Sequence, residues 1–137
     1  MLRYSQRFES TDDSAYIQYA IADKPIPGRP TQQYVFRYKN SSSATTYYRN
    51  WFLTKPGEKP DEWLFQSSTA DEADVKCYDY EGRDYTFCHW TARYQEYVVE
   101  VMAFLIPDKM SLQDFEKIII KADSIMSKHL NGTSSQQ

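Results

Sequence analysis

The sequence predicts an α+β fold, in which an antiparallel, meander-like β-sheet carries a C-terminal amphipathic helix. Three observations predict it. Apolar residues recur at helical period over residues 111–130. Residues 32–40 and the stretch around both cysteines alternate in the two-residue period of strands. Twelve Tyr, seven Phe and three Trp in 137 residues suit pleated surfaces, where aromatic side chains pack well.

Residues 1–14 are polar and read as an N-terminal arm, ahead of a single domain over 15–131. "AYIQYAIA" (15–22) fits a strand or a short helix, and "DKPIPGRP" (23–30), with three prolines and a glycine, reads as a loop. In "QQYVFRYKN" (32–40), Tyr34, Phe36 and Tyr38 alternate against Val35 and Arg37, as a strand requires. Over 42–53, Ala44, Tyr47, Tyr48, Trp51 and Phe52 fall at helical spacing behind serines able to cap a helix. Thr45, Thr46 and the aromatics favour a strand instead; in that case an up-and-down β-barrel with a C-terminal helix becomes the alternative fold. "KPGEKPDE" (55–62) reads as a loop, "WLFQSS" (63–68) as a short strand and "TADEAD" (69–74) as an acidic connection.

The C-terminal helix is the clearest element. Ser111 and Asp114 form a capping-box-like start. Leu112, Phe115, Ile118, Ile119, Ala122, Ile125, Met126 and Leu130 then define one stripe, with Ile120 off it. Asn131-Gly132 reads as the stop, leaving 132–137 as a disordered tail. This order of elements resembles the arrangement of PsbP-like proteins; no motif carries the resemblance, and it implies nothing about function.

A two-residue turn at Gly82-Arg83 places Cys77 directly across from Cys88, at what this register makes a hydrogen-bonded pair. That is the geometric case for a disulfide; two reduced cysteines packed as small hydrophobes are the alternative. The bridge predicts an oxidising compartment, hence an extracytoplasmic location (periplasmic, secreted or lumenal). The start "MLRYSQRFES" has no signal-peptide core, so this reading places an export signal or lipid anchor upstream; free thiols would point to the cytoplasm.

A second turn near Tyr94-Gln95 sets His89 opposite Glu100 and Phe87 opposite Met102. One face of this sheet is apolar and carries the cysteines. The other gathers Tyr78, Tyr80, Tyr85, Phe87, Met102 and Phe104, which need either a covering helix or a ligand or partner. With Ile120, these residues are the candidate binding surface.

A net charge of −3 with scattered Lys and Arg excludes a nucleic-acid-binding stripe, and no apolar run approaches a membrane span. Phosphate loops, nucleophile elbows and metal-binding helices are absent from the sequence, and no cofactor or metal is expected. His89 and Glu100 read as a cross-strand polar pair rather than an acid–base couple, because no nucleophile accompanies them. "NSS" at Asn40 and "NGT" at Asn131 match the glycosylation sequon, a pattern common in a chain rich in Ser and Thr. The sequence is therefore read as a non-enzymatic extracytoplasmic binding or accessory protein with a protein partner. The alternative is a small-ligand carrier with an aromatic-lined cavity.

Overall fold

The computed structural model describes residues 2–3, 9–11, 14–21, 31–80, 82 and 84–135, with side chains from residue 31 to residue 132. The loop predicted over 23–30 lies outside the described residues. Seven strands form one antiparallel sheet: β1 (Leu2–Arg3), β2 (Glu9–Thr11), β3 (Ser14–Ile21), β4 (Thr31–Tyr38), β5 (Glu72–Asp79), β6 (Thr86–Tyr94) and β7 (Tyr97–Leu105). Their spatial order is β1-β3-β4-β7-β6-β5, with β2 also on β3. The polar N-terminal segment thus supplies two short edge strands, and 14–21 is strand rather than helix. β5 forms one side of the sheet and β1 and β2 the other, with no pairing between the two sides among the described residues, so the sheet is open and the barrel alternative falls.

Helix α1 (Ser41–Thr54) follows β4. Its N-cap is Asn40, whose side chain accepts from the Ser43 N–H at 2.8 Å, so this residue rather than the serines starts the helix. The threonines that argued for a strand fit the helix because their hydroxyls bond back one turn, Thr45 to the Ser41 carbonyl at 2.8 Å and Thr46 to that of Ser42 at 3.1 Å. Ala44, Tyr48 and Trp51, at i, i+4 and i+7, form the buried stripe. At the C-terminal end the Lys76 ammonium reaches the carbonyls of Phe52 and Lys55, where a cation offsets the negative pole of the helix.

Helix α2 (Leu112–Ser135) starts with the predicted capping box: the Asp114 N–H donates to Ser111 Oγ and the Ser111 N–H to Asp114 Oδ2, both at 3.1 Å. Phe115, Ile119, Ala122 and Met126 pack on Trp90, Ala92, Tyr94, Val99 and Val101 in the main core. Ile125, placed on the stripe by periodicity, is exposed instead. The helix also runs through Asn131 and Gly132, so that pair does not end it. α1 and α2 occupy opposite faces of the sheet, and residue parity along β6 and β7 separates the two faces cleanly.

Residues 63–68, expected to be a strand, form a strap on α2. The Glu116 carboxylate accepts the N–H groups of Leu64 and Phe65 at 2.8 and 3.1 Å, the Ser67 hydroxyl donates to Asp123 at 2.5 Å, and the Ser127 hydroxyl donates to Thr69 Oγ1 at 2.7 Å. The anchors advance together along both segments. Residues 64–65 meet Glu116, Ser67 meets Asp123 and Thr69 meets Ser127, so the strap runs parallel to the helix. Glu116 meets the N–H groups of Leu64 and Phe65, and the strap's own Ser67 and Trp63 meet those of Thr69 and Ala70 and the Phe65 carbonyl, so these groups need no sheet partner.

Candidate binding face

Two turns position the face. The first hairpin keeps the predicted register, Cys77 across from Cys88, and the sulfurs are bonded at 2.13 Å. The loop, however, is closed by the Tyr80 N–H donating to the Tyr85 carbonyl at 3.0 Å, so the two-residue turn is not used. That shifts the hydrogen-bonding phase by one residue and makes Cys77–Cys88 a non-hydrogen-bonded pair, with the Cα atoms 4.2 Å apart. The backbone of Cys77 turns outward instead. Its N–H donates to the Glu58 carbonyl at 2.9 Å and its carbonyl accepts from the Glu58 N–H at 3.0 Å.

The second turn corrects the predicted register. It lies at Gln95-Glu96, so Tyr94 faces Tyr97, His89 faces Met102 and Phe87 faces Phe104. Gln95 takes a left-handed φ of 56° although it is neither Gly nor Asn. Asp71 accepts its N–H at 2.7 Å and Arg93 donates to its carbonyl at 3.0 Å, which supplies what the turn sequence lacks. A shift of two residues preserves the faces, so the predicted apolar and aromatic sides survive.

On the α1 side, Tyr78, Tyr80, Tyr85, Phe87 and Phe104 come together, with ring centroids 5.1–6.2 Å apart. Met102 lies on the same face between His89 and Gln32 by register. Ile120 does not join them: it lies on α2, across the sheet, beside the strap. Within the cluster, Tyr80 is 41% exposed and the others are half-buried.

Where the cluster meets α1 it gives way to a polar network. The Trp51 indole N–H donates to His89 Nδ1 at 3.2 Å, and the Tyr47 hydroxyl donates to Glu100 Oε1 at 2.8 Å. An indole N–H can only donate, so His89 Nδ1 accepts and the proton of the neutral ring sits on Nε2, 3.7 Å from Glu100 Oε1. His89 and Glu100 are 8% and 6% exposed. This network lies sealed beneath α1 and fixes the helix to the sheet. Burial, and then the Glu100 carboxylate, raise the Tyr47 and Tyr38 hydroxyls well above the ordinary tyrosine range. Local pattern brought His89 and Glu100 together but not their partners on α1, because Trp51–His89 and Tyr47–Glu100 join residues 38 and 53 positions apart.

Asp123 is the other buried carboxylate with neutral donors. It accepts from Tyr94 and Ser67, both at 2.5 Å, and burial followed by Asp123 raises the Tyr94 hydroxyl. Ser67 Oγ also accepts the N–H groups of Thr69 and Ala70, so this group ties the strap down. Among the described residues, no cluster of three or more His, Cys, Asp or Glu is placed to hold a metal ion, and no helix is long and apolar enough to cross a membrane.

The geometry defines an open-sheet α+β domain with one half-exposed aromatic end. No family model, curated protein or solved structure matches the chain.

Proposed function

We propose that this chain is a non-enzymatic binding or accessory protein of an oxidising, extracytoplasmic compartment, and that it docks on a protein partner through the aromatic end of the α1 side. The observation that carries this reading is the ring cluster topped by Tyr80, built across three strands and fixed by the Cys77–Cys88 rung. Tyrosine suits such a surface because it combines apolar area with a polar tip at low entropic cost. α1 reaches only as far as His89, through Trp51. The disulfide supports the compartment, since such bonds persist where thiols are not kept reduced.

Small-ligand carriage has less support. A hollow of about 460 Å³ beside the cluster takes only Tyr85 from it and is otherwise lined by residues such as Asp79, Asp84 and Ile106.

A photoreactive phenylalanine analogue placed at Tyr80, in the native source, tests the docking. One discrete crosslinked partner from Tyr80, absent when the analogue replaces Leu64 on the opposite face, is the expected result. Equal crosslinking from both positions, or none from Tyr80, would overturn it. Two freely alkylated thiols in the natively purified chain would overturn the compartment.

A further inference from the structure

Strand β5 forms an edge of the sheet, and its hydrogen-bonding phase shows which groups face outward. The Tyr80–Tyr85 bond turns the even-numbered residues of β5 toward β6. The odd-numbered residues Ala73, Val75 and Cys77 therefore point their N–H and C=O groups away from the sheet. Glu58 satisfies Cys77 in both directions. The next rung would set Pro60 opposite Val75, but proline has no N–H to give the Val75 carbonyl. The chain leaves the edge there, in a turn closed by the Trp63 N–H on the Pro60 carbonyl at 3.1 Å. Asp74 Oδ1 accepts the Val75 N–H at 2.8 Å. The outward carbonyl of Val75 and both outward groups of Ala73 have no hydrogen-bond partner among the described residues.

A hollow flanks this open stretch on each face of the sheet. On the α1 side, Tyr48, Phe52 and Leu53 line one of about 610 Å³, and Leu53 is 80% exposed. On the α2 side, one of about 240 Å³ is lined by Phe65 and the edges of Trp63 and Trp90 together with polar residues such as Lys59, Gln66 and Ser67. Asp71, Glu72 and Ala73 belong to both. Side chains of an extended chain point alternately to opposite faces. A strand laid along Ala73–Val75 would therefore seat successive side chains in one hollow and then the other.

We propose that the Ala73–Val75 edge of β5 binds an extended segment of a partner protein as an added strand, with apolar side chains toward the α1-side hollow alternating with polar ones toward the α2-side hollow. The carboxylates along the edge are already paired, Asp71 and Glu72 with Arg93, Glu72 also with Arg49, and Asp74 with Lys59, so the open backbone groups and the two hollows, rather than charge, select the segment. A second copy of this chain fits less well. Antiparallel pairing of two β5 edges through Ala73 and Val75 would set the two Asp74 carboxylates directly opposite each other, a destabilising like-charge pair. Main-chain bonds would supply affinity and the two hollows selectivity, as in other strand-addition sites. This surface is independent of the aromatic end and goes beyond the docking assigned to it.

The test is to pan a phage-displayed library of linear nine-residue peptides on the intact chain and map the best binder by amide hydrogen exchange. Protection of the Ala73 amide is expected. Ala73→Pro removes an outward N–H while leaving the β6 rungs intact, and should weaken binding roughly tenfold. Leu53→Glu, outside the sheet, should weaken it as well and decides the matter if Ala73→Pro does not fold. Binders that leave Ala73 unprotected, that map to Tyr80, or that ignore Leu53→Glu would overturn the proposal. So would a library yielding no binder, or a dimer of this chain protecting the same amides.

Discussion

Gly57 lies against the backbone of Cys77 so closely that a Cβ at that position would come within 2.9 Å of the Cys77 carbonyl oxygen. Its φ of 108° is also one that side-chain-bearing residues rarely adopt. Both conditions follow from the rung next door, where Glu58 pairs with the outward side of the disulfide strand. Gly57→Ala should therefore cost about 2 kcal/mol or more, read as a lower urea midpoint with the disulfide intact. An unchanged midpoint would mean that the 55–60 segment moves aside without loss.

Replacing both cysteines by alanine opens a loop of sequence separation 11. The chain-entropy model assigns such a closure about 3 kcal/mol. Urea unfolding of the double variant should show that loss, and the wild type should show a similar one on reduction.

Trp51→Phe keeps the ring packing against His89 but removes the only donor seen at Nδ1. A buried acceptor left unmet costs about 1–3 kcal/mol. Tyr47→Phe likewise removes a donor to buried Glu100. Both changes loosen α1, so hydrogen exchange within 41–54 should quicken before that of β6 and β7.

Tyr38, Tyr47, Tyr48 and Tyr94 have hydroxyls raised above the ordinary value of 10.0, in each case first by burial. The folded state then holds these protons more tightly than the unfolded chain. Their contribution is complete below pH 10 and is lost progressively above it. In a spectrophotometric titration these four should ionise together with unfolding, in one steep alkaline step. Tyr47→Phe should remove one tyrosine from that step.

Asp123 and Glu116 hold the strap to α2. Glu116→Ala removes the acceptor of two amides and should speed exchange at Leu64 and Phe65 without shifting the global transition much. Asp123→Ala strands the buried Tyr94 hydroxyl and should cost about 2–3 kcal/mol in urea unfolding.

The sequence made the elements legible wherever the signal was local. The α2 capping box, the stripe through Phe115, Ile119, Ala122 and Met126, and the pairing of Cys77 with Cys88 all depend on residues near one another. What was not legible depended on distant partners. The turn at Gln95 is held by Asp71, 24 residues away, and nothing in "RYQE" announces it. The 63–68 strap reads as a strand from its residue pattern, and only Glu116, Asp123 and Ser127 reveal that its partner is a helix. Gly132 reads as a stop by local preference, yet α2 continues past it. Of the seven candidate surface residues, five form one ring cluster and Met102 shares their face. Ile120 joins the candidates as an aliphatic residue off the α2 stripe, and the side of the sheet on which α2 packs is set by contacts distant in sequence.

The path from α1 to β5 has a topological consequence. Leaving α1 on one side, the chain crosses the β5 edge at Glu58, runs along α2 on the other side and returns as β5 itself. It thus encircles the margin of its own sheet, and the exposed pair Asp61 and Glu62 lies on that girdle. A single cut between them severs the backbone without breaking a strand ladder. The resulting halves, 1–61 and 62–137, would each keep a hairpin and a helix and share the β4–β7 seam. The molecule is in effect a pre-divided pair, suited to reconstitution from two separately expressed fragments.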